Sequence, residues 1–171
     1  MMIARAWAMP SHNTFSIKPI RELLERYIHG IWCDPFARDS VFANRCIATN
    51  DLNPDSNTTH HMEALDFLNL MGACGPVFDG VLFDPPYSPR QITECYQSVG
   101  RKTHMQDTQS SFYTHRKRAA HALIKRDGLA ICFGWNSNGF GKTMGYELIE
   151  MLCVAHGGAH NDTIVTVERK L

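Results

Sequence analysis

The feature that most constrains the fold is a pattern that occurs three times: a short apolar run that stops at an acid-bearing turn. The three segments are "IWCDPF", "CIATNDLNP" and "GVLFDPPY", and their acids are Asp34, Asp51 and Asp84. Short apolar runs of this kind are typical of strands buried on both faces. Proline after a run prevents the strand from continuing. The pattern therefore predicts several buried strands whose carboxyl ends carry acids.

Segments with helical spacing lie between these strands. Helices are predicted in "IKPIRELLERYI", "HMEALDFLNLM", "RQITECYQSV" and "SSFYTHRKRAAHALIKRDG", the last of them ending at Gly128. "LAICFGW" predicts a fourth strand, and "YELIEMLCVAH" predicts a helix that runs into a short strand. The strict alternation of "NDTIVTVERK" is typical of an edge or antiparallel strand. Strands alternating with helices predict an α/β fold with a parallel sheet covered on both faces.

Composition and charge exclude several classes of protein. With 171 residues, 44% of them hydrophobic and 20% charged, the chain is predicted to be one globular domain. Its formal net charge of zero provides no global field for nucleic acid or membrane. The six cysteines are widely spaced and form no C-x-x-C, which favours reduced, packed thiols over disulfides or zinc ligands. Without a transmembrane-length apolar run or a signal peptide, the expected location is cytoplasmic.

The acid after the third strand is open to two interpretations. Asp84 can be a strand cap that satisfies loose backbone donors, with Pro85 and Pro86 ending the strand ladder. It can also belong to a site that holds a polar, planar group, since Tyr87 places an aromatic ring beside it. Ligands of parallel α/β sheets bind beyond the carboxyl ends of the strands. That rule favours the second interpretation.

The tetrapeptide D-P-P-Y at 84–87 resembles the signature of amino-group methyltransferases that use S-adenosylmethionine and act on adenine N6 or cytosine N4, mostly in DNA. A given tetrapeptide occurs by chance in about one in a thousand chains of this length. The resemblance implies a Rossmann-like, doubly wound, mostly parallel sheet with an antiparallel C-terminal strand. It implies a single methyltransferase domain over 14–171. The residues before it, 1–13, are predicted to form a loose N-terminal arm.

The resemblance also implies a catalytic role for Asp84, Pro85, Pro86 and Tyr87. An exocyclic amine is a poor nucleophile because its lone pair is delocalised into the ring. The Asp84 carboxylate and the Pro85 carbonyl would accept its two hydrogens and aim the lone pair at the methyl group. The prolines set the direction of that carbonyl in advance, and Tyr87 offers a face on which an extruded base stacks.

Four upstream motifs resemble the cofactor-binding motifs of the same family. "TFSIKPI" resembles the segment that closes over the methionine part of the cofactor, "DPFAR" the first-strand motif and "NDLNP" the ribose-binding motif. "HMEALDFL" supplies an acid for the adenine end. Solvated turns or a helix face explain each of them separately, but their order before D-P-P-Y favours cofactor binding. The implied cofactor-binding residues are Phe15, Ser16, Asp34, Pro35, Phe36, Ala37, Asp51, Leu52 and Glu63.

The first-strand motif departs from the family in one respect. The family usually has a glycine-bearing turn after D-P-F, whereas Ala37, Arg38, Asp39 and Ser40 follow here. Glycine normally lets the backbone approach a ligand closely. The methionine contacts of this chain are therefore expected to differ.

A basic segment follows the catalytic tip. Between Arg101 and Arg126 there are seven lysines or arginines and one acid. The predicted nucleic-acid contacts are Arg101, Lys102, Arg116, Lys117 and Arg118. A solvated helix face is the alternative. DNA is the expected partner, with RNA as an alternative. No separate recognition domain is expected within 171 residues, so target recognition is expected to fall to this segment, to a second copy in a homodimer or to a separate subunit.

Other motifs indicate no further chemistry. "GFGKT" lacks the glycine that a phosphate-binding loop needs at position 136, which is Asn136, and a mobile loop is predicted instead. Trp135 and Asn136 line a base pocket or serve packing and turn formation. "HGGAH" offers only two histidines, so no metal is expected. The expected activity is adenine-N6 methylation of DNA. The alternatives are cytosine N4, an RNA substrate or a non-catalytic subunit.

Overall fold

Seven strands form one sheet in the computed structural model, which describes the backbone of residues 1–171 and every side chain except that of Ala43. The strands are β1 (Met2–Trp7), β2 (Trp32–Asp34), β3 (Ala48–Thr49), β4 (Phe78–Phe83), β5 (Ile124–Gly134), β6 (Tyr146–Ala155) and β7 (Thr163–Lys170). The helices are α1 (Lys18–Tyr27), α2 (Ala64–Cys74), α3 (Pro89–Ser98) and α4 (Ser111–Leu123). Short 3-10 turns lie at Thr14–Ser16, Ala43–Arg45, Met105–Thr108 and Lys142–Met144.

The strand order is β1-β6-β7-β5-β4-β2-β3, and β7 is antiparallel to both of its neighbours while all other pairs are parallel. This confirms the predicted mostly parallel sheet with an antiparallel C-terminal strand. The strand β7 lies inside the sheet rather than at its edge. Its alternating polar residues are buried as well, Thr166 being 1% and Glu168 4% exposed.

Helices cover both faces of the sheet, as predicted. On one face Leu82 of β4 and Ile131 of β5 pack in one cluster with Leu24 of α1. On the other face their sequence neighbours Val81 and Ala130 pack in a cluster with residues of α2 and α4. Successive strand residues point to opposite faces, so strands covered on both sides are apolar throughout. No helix of the described residues is long and apolar enough to cross a membrane.

The chain changes direction across the sheet at β2. It passes from β2 outward to β3, then returns through α2 to β4 on the other side of β2. Such a switch point leaves a crevice beyond the carboxyl ends of the two strands that flank it. Those ends carry Asp34 and Asp84.

The predicted N-terminal arm is wrong for residues 2–7. These residues form the edge strand β1, parallel to β6 with Met2 opposite Glu150 and Trp7 opposite Ala155. Only small residues of β1 pack on the core, whereas Met2 and Trp7 are 50% and 66% exposed. An edge strand with its large side chains in solvent lacks the buried periodicity by which strands are recognised.

The predicted helix in "YELIEMLCVAH" is also wrong, because these residues form the ten-residue strand β6. Buried residues recur at every second position, at Glu150, Leu152 and Val154. The Glu150 carboxylate accepts hydrogen bonds from Arg26 Nη2 (2.5 Å) and Tyr27 Oη (2.8 Å) of α1. The sequence did not reveal this strand, because its buried acid stands among strong helix formers. Pairing with β1 and β7 overrides that local helix propensity.

The helix predicted to end at Gly128 ends at Leu123, and β5 begins at once. The register against β4 shifts between Phe78↔Ile124 and Gly80↔Leu129, so the intervening residues of β5 bulge out. Asp127 takes a left-handed φ of 63° in this bulge. The bulge lies at the amino end of β4, away from the end that carries Asp84.

Candidate functional site

A cleft of about 590 Å³ opens at the carboxyl ends of the parallel strands. Ten residues singled out from the sequence line it: Pro35, Phe36, Asp51, Leu52, Glu63, Asp84, Pro85, Pro86, Tyr87 and Arg116. They come from segments far apart in the chain, and the switch point of the sheet brings them together. The structure thus collects the motifs after β2, β3 and β4 around one cavity.

A second cavity of about 80 Å³ adjoins the cleft, with Asp84 in the wall of both. It lies between the Thr14–Ser16 turn and the turn that follows β2. Phe15 and Ala37, both predicted to bind cofactor, line this smaller cavity. Ser16 lines neither cavity, and its hydroxyl donates to the Asn13 carbonyl at 2.7 Å, so it shapes the turn.

Asp84 follows the last residue of β4 and faces both cavities. Burial raises its pKa to about 6, although hydrogen bonds from the Tyr87 and Thr14 hydroxyls and the charge of Arg38 pull the pKa down. The Tyr87 hydroxyl donates to Asp84 Oδ1. A carboxylate that changes charge near neutral pH is typical of functional sites, since a mere strand cap gains nothing from desolvation.

Two hydrogen bonds hold the backbone of the D-P-P-Y tip. The Tyr113 hydroxyl of α4 donates to the Pro86 carbonyl at 2.7 Å. The Tyr87 amide donates to Gln91 Oε1 at 2.6 Å, and the Ser88 hydroxyl caps α3 by accepting from the Gln91 amide. Within the part of the chain that the structure describes, nothing donates to the Pro85 carbonyl. Side chains of α3 and α4 therefore anchor the tip, while the Pro85 carbonyl keeps an unused acceptor among the described residues.

Tyr87, which contacts Asp84, pairs with a second aromatic ring that lines neither cavity. The Trp135 ring, at the end of β5, meets the Tyr87 ring edge-on with centroids 5.7 Å apart. Trp135 is 40% exposed, which is unusual for so large an apolar side chain. Burial, followed by the charge of Asp84, raises the pKa of Tyr87 well above its usual value, so its hydroxyl remains a donor at physiological pH.

Asp34, predicted to contact the cofactor, lies beneath the surface and lines neither cavity. It is 1% exposed, its Oδ1 accepts from the Phe36 amide at 3.0 Å, and its Oδ2 has no partner among the described residues. Burial raises its pKa well above the usual range. The prediction of direct ligand contact is corrected: Asp34 shapes the turn that presents Pro35 and Phe36.

Asn50 is a site residue that the sequence reasoning missed. It is 1% exposed, and its Nδ2 donates to the Pro35 carbonyl (3.2 Å) and the Met62 carbonyl (3.0 Å) while its Oδ1 accepts from the Met62 amide (3.1 Å). These bonds tie the turn after β2 to the segment before α2. Its neighbour Asp51 is half-buried and uses Oδ1 to accept from the Asn53 amide at 2.8 Å. An asparagine directly before the acid of a strand tip was the available signal.

The predicted adenine-end acid, Glu63, is bound by two arginines. Its Oε1 lies 3.0 Å from Arg101 Nη1, and its Oε2 lies 3.0 Å from Arg116 Nη2. Arg116 is 7% exposed, and its guanidinium stacks 3.4 Å from the centre of the Phe112 ring. The prediction that Arg116 belongs to an open, phosphate-binding face is therefore wrong. It is a buried cation in the cleft wall.

The other predicted nucleic-acid contacts differ in their surroundings. Lys117 Nζ donates to the carbonyls of Asn138 (3.0 Å) and Gly139 (2.5 Å), whereas Lys102 and Arg118 are exposed. The remaining two cations, Lys125 and Arg126, lie on the β5 bulge at the opposite end of the sheet from Asp84. The sequence cluster does not become one surface because it spans a loop, a helix and a strand.

The "GFGKT" loop is anchored internally, contrary to the expectation of a mobile loop. The amides of Phe140 and Gly141 donate to the two carboxylate oxygens of Glu168 at 2.5 and 2.9 Å. A bound phosphate would need these two amides as donors, but a carboxylate of the same chain already occupies them. The histidines of the "HGGAH" motif include a structural one as well. His156 is 6% exposed and contacts the Ala8 carbonyl and the Thr163 hydroxyl.

Solved structures share this fold over about nine-tenths of the chain. TrmN from Thermus thermophilus superposes with a TM-score of 0.58 and 16% identity over 91% of this chain and 49% of that one. The N-methyltransferase NodS from Bradyrhizobium japonicum WM9 superposes with a TM-score of 0.56 and 10% identity over 90% of this chain and 92% of that one. This chain has their fold. It spans about half the length of TrmN.

A third structure with this fold contains ligands. It is the Burkholderia thailandensis 1,6-didemethyltoxoflavin-N1-methyltransferase with bound 1,6-didemethyltoxoflavin and S-adenosylhomocysteine, with a TM-score of 0.54 and 13% identity over 90% of this chain and 75% of that one. No protein-family model and no curated protein sequence matches the chain. The likeness thus concerns the fold.

Proposed function

We propose that the protein is an S-adenosylmethionine-dependent methyltransferase that modifies an exocyclic amino group of a nucleobase, with adenine N6 in DNA as the first candidate. One observation carries the proposal: the Asp84 carboxylate faces the cleft at the switch point of the sheet, beside the unpaired carbonyl of Pro85. Two acceptors at one rigid tip match the two hydrogens of a primary aromatic amine. Bound S-adenosylmethionine supplies a methyl group on a sulfonium, which is an excellent leaving group.

The residues around the cleft fit this cofactor. Asp51 at the tip of β3 has a second carboxylate oxygen for a ribose diol, since only Oδ1 bonds to the Asn53 amide. Leu52 and Met62 add apolar surface to the same wall, as an adenine ring requires. The N1-methyltransferase of the same fold holds S-adenosylhomocysteine, which supports the same class of cofactor here.

The chain contributes mainly positioning and electrostatic stabilisation. Asp84 and the Pro85 carbonyl accept the amine hydrogens and turn its lone pair toward the methyl donor. Positive charge develops on the nitrogen as it becomes tetrahedral, and the nearby carboxylate stabilises it more in the transition state than in the ground state. The bonds from Tyr113 to the Pro86 carbonyl and from the Tyr87 amide to Gln91 keep these acceptors in place.

The aromatic pair supports a nucleobase as the substrate. Tyr87 contacts Asp84 and pairs with the exposed ring of Trp135, and bases extruded from nucleic acid are held by stacking on such rings. The exposed cations Lys102 and Arg118 remain available for phosphates, with further contacts supplied by a second copy or another subunit. Cytosine N4 and RNA amino groups present the same two hydrogens. The identity of the methylated nucleoside therefore distinguishes these substrates.

The test is methyl transfer from labelled S-adenosylmethionine to unmethylated genomic DNA and, in parallel, to total RNA, followed by nucleoside mass analysis. N6-methyladenine in the DNA sample is the expected product, and the Asp84→Ala variant should form none. Methylcytosine, or product confined to RNA, would reassign the target. A wild-type protein that binds the cofactor but labels no nucleic acid would instead be a non-catalytic subunit.

A further inference from the structure

Arg38 lies in the turn after β2, where the sequence departs from the glycine-bearing pattern. Its φ is 48°, in the left-handed region that favours glycine. The turn after β2 therefore keeps a backbone shape suited to glycine while presenting a long cationic side chain. A left-handed conformation is disfavoured for an arginine, because its Cβ comes too close to the following carbonyl oxygen. Positions that retain such strain are candidates for function.

The guanidinium of Arg38 has no carboxylate within ion-pair distance among the described side chains. Its one hydrogen bond runs from Nη1 to the His12 carbonyl at 3.0 Å, and the residue is exposed. It lines both the 590 Å³ cleft and the 80 Å³ cavity. It is thus a cation available to a ligand at the junction of the two spaces.

The smaller cavity suits a small zwitterion. Its charged side chains are one cation and two acids, Arg38 against Asp39 and Asp84. Its volume of about 80 Å³ holds only a few non-hydrogen atoms. An α-carboxylate and an α-ammonium on one carbon would meet complementary charges there, whereas a nucleoside needs the larger cleft.

A sulfonium cofactor carries two groups, and the two cavities offer a separate space for each. If the transferred methyl faces Asp84, the adenosyl group and the aminocarboxypropyl group must occupy different regions next to it. We infer that Arg38 binds the α-carboxylate of the aminocarboxypropyl group in the smaller cavity and so positions the cofactor through a side chain of the turn after β2. This rests on the proposed function.

The experiment is calorimetry with two ligands that differ only at this end. S-adenosylhomocysteine carries the aminocarboxypropyl group, and 5′-deoxy-5′-methylthioadenosine has a methyl in its place. Arg38→Gly should weaken S-adenosylhomocysteine binding about 10- to 100-fold, the range of one or two charge-assisted hydrogen bonds. Its affinity for methylthioadenosine should stay within about twofold of the wild type, and Arg38→Lys should lie between the two for S-adenosylhomocysteine.

Asp127→Gly is the matched control. Asp127 is the other non-glycine residue with a positive φ among the described residues, at 63°, and it lies at the opposite end of the sheet. Both glycine variants relieve a left-handed conformation, but only Arg38→Gly should change ligand affinity. Unchanged S-adenosylhomocysteine binding in Arg38→Gly, or an equal loss for both ligands, would overturn the assignment. If the wild type binds neither ligand, the proposed function fails first and this inference fails with it.

Discussion

The Tyr87 hydroxyl donates a hydrogen bond to Asp84 Oδ1, across three residues of the turn that ends β4. This bond joins the residue expected to stack on the substrate to the residue expected to hold its amine. It lowers the pKa of Asp84, against a larger effect of burial that raises it to about 6. The two roles of the tip are therefore coupled.

Asp84→Ala should abolish methyl transfer while the fold and cofactor binding persist, and Asp84→Asn should be milder because an amide oxygen still accepts one hydrogen. Since the folded-state pKa of Asp84 is raised to about 6 from 3.8, its ionised form is disfavoured in the native state. Its stabilising contribution is present below pH 3.8 and is lost as the pH rises through about 6, by at most about 3 kcal/mol. Asp84→Asn should therefore melt no lower than wild type at pH 8.

Melting curves and turnover, measured on the wild type and on the two Asp84 variants, distinguish a catalytic Asp84 from a strand cap. A cap would make the alanine variant about 1 kcal/mol less stable, and its residual activity would follow the folded fraction. A stable Asp84→Ala protein that methylates at the wild-type rate would remove Asp84 from the catalytic site.

The pH dependence of the rate should show an acid limb with an apparent pKa near 6, because only the Asp84 carboxylate can accept both the Tyr87 hydroxyl and the amine. Tyr87→Phe keeps the ring and most of the activity, but it removes a bond that lowers this pKa, so the limb should move to higher pH. Tyr87→Ala should lose the stacking surface and the activity. Tyr113→Phe is the control, because its hydroxyl binds the Pro86 carbonyl and not Asp84. An unmoved limb in Tyr87→Phe would assign the titration to another group.

Asp51→Ala should weaken cofactor binding, because it removes a carboxylate that we expect to accept hydrogen bonds from the ribose diol. Each such bond contributes about 1.5–3 kcal/mol. Calorimetry with S-adenosylhomocysteine measures the loss. Asp55→Ala is a suitable control, since Asp55 is exposed in the same loop and lines neither cavity. Equal affinity in the two variants would move the ribose site elsewhere.

Arg116 and Arg118 should behave differently although they are two residues apart. Arg116→Ala should lower the free energy of unfolding by about 3 kcal/mol, since it removes the stack on Phe112 and one of the two partners of Glu63. Arg118→Glu should leave stability unchanged but weaken nucleic-acid binding and reduce its salt slope. Denaturant titrations and binding at several salt concentrations test both. If the salt slope of Arg118→Glu equals that of the wild type, the exposed helix face is only solvated.

How far sequence reasoning reaches differs between elements for physical reasons. The strands before Asp34, Asp51 and Asp84 were predicted correctly, because a strand buried on both faces is apolar throughout and its proline turn is a local signal. The strand β6 was not, because Tyr146, Ile149 and Cys153 also fit a helical spacing and Glu150 is buried only because α1 supplies Arg26 and Tyr27.

The amino-acid sequence by itself determined the alternation of strands and helices from α1 to β5, the antiparallel final strand and the chemical groups at the strand tips, because these depend on apolar periodicity and on residue type. Only the tertiary structure decided which charges are free. Arg116 is buried against Phe112, whereas Arg38 has no ion-pair partner among the described side chains. Asp34 is covered, whereas Asp84 faces the cleft. Burial and pairing are set by residues distant in the chain that pack around each group, and the charge and pKa of a side chain follow from that packing.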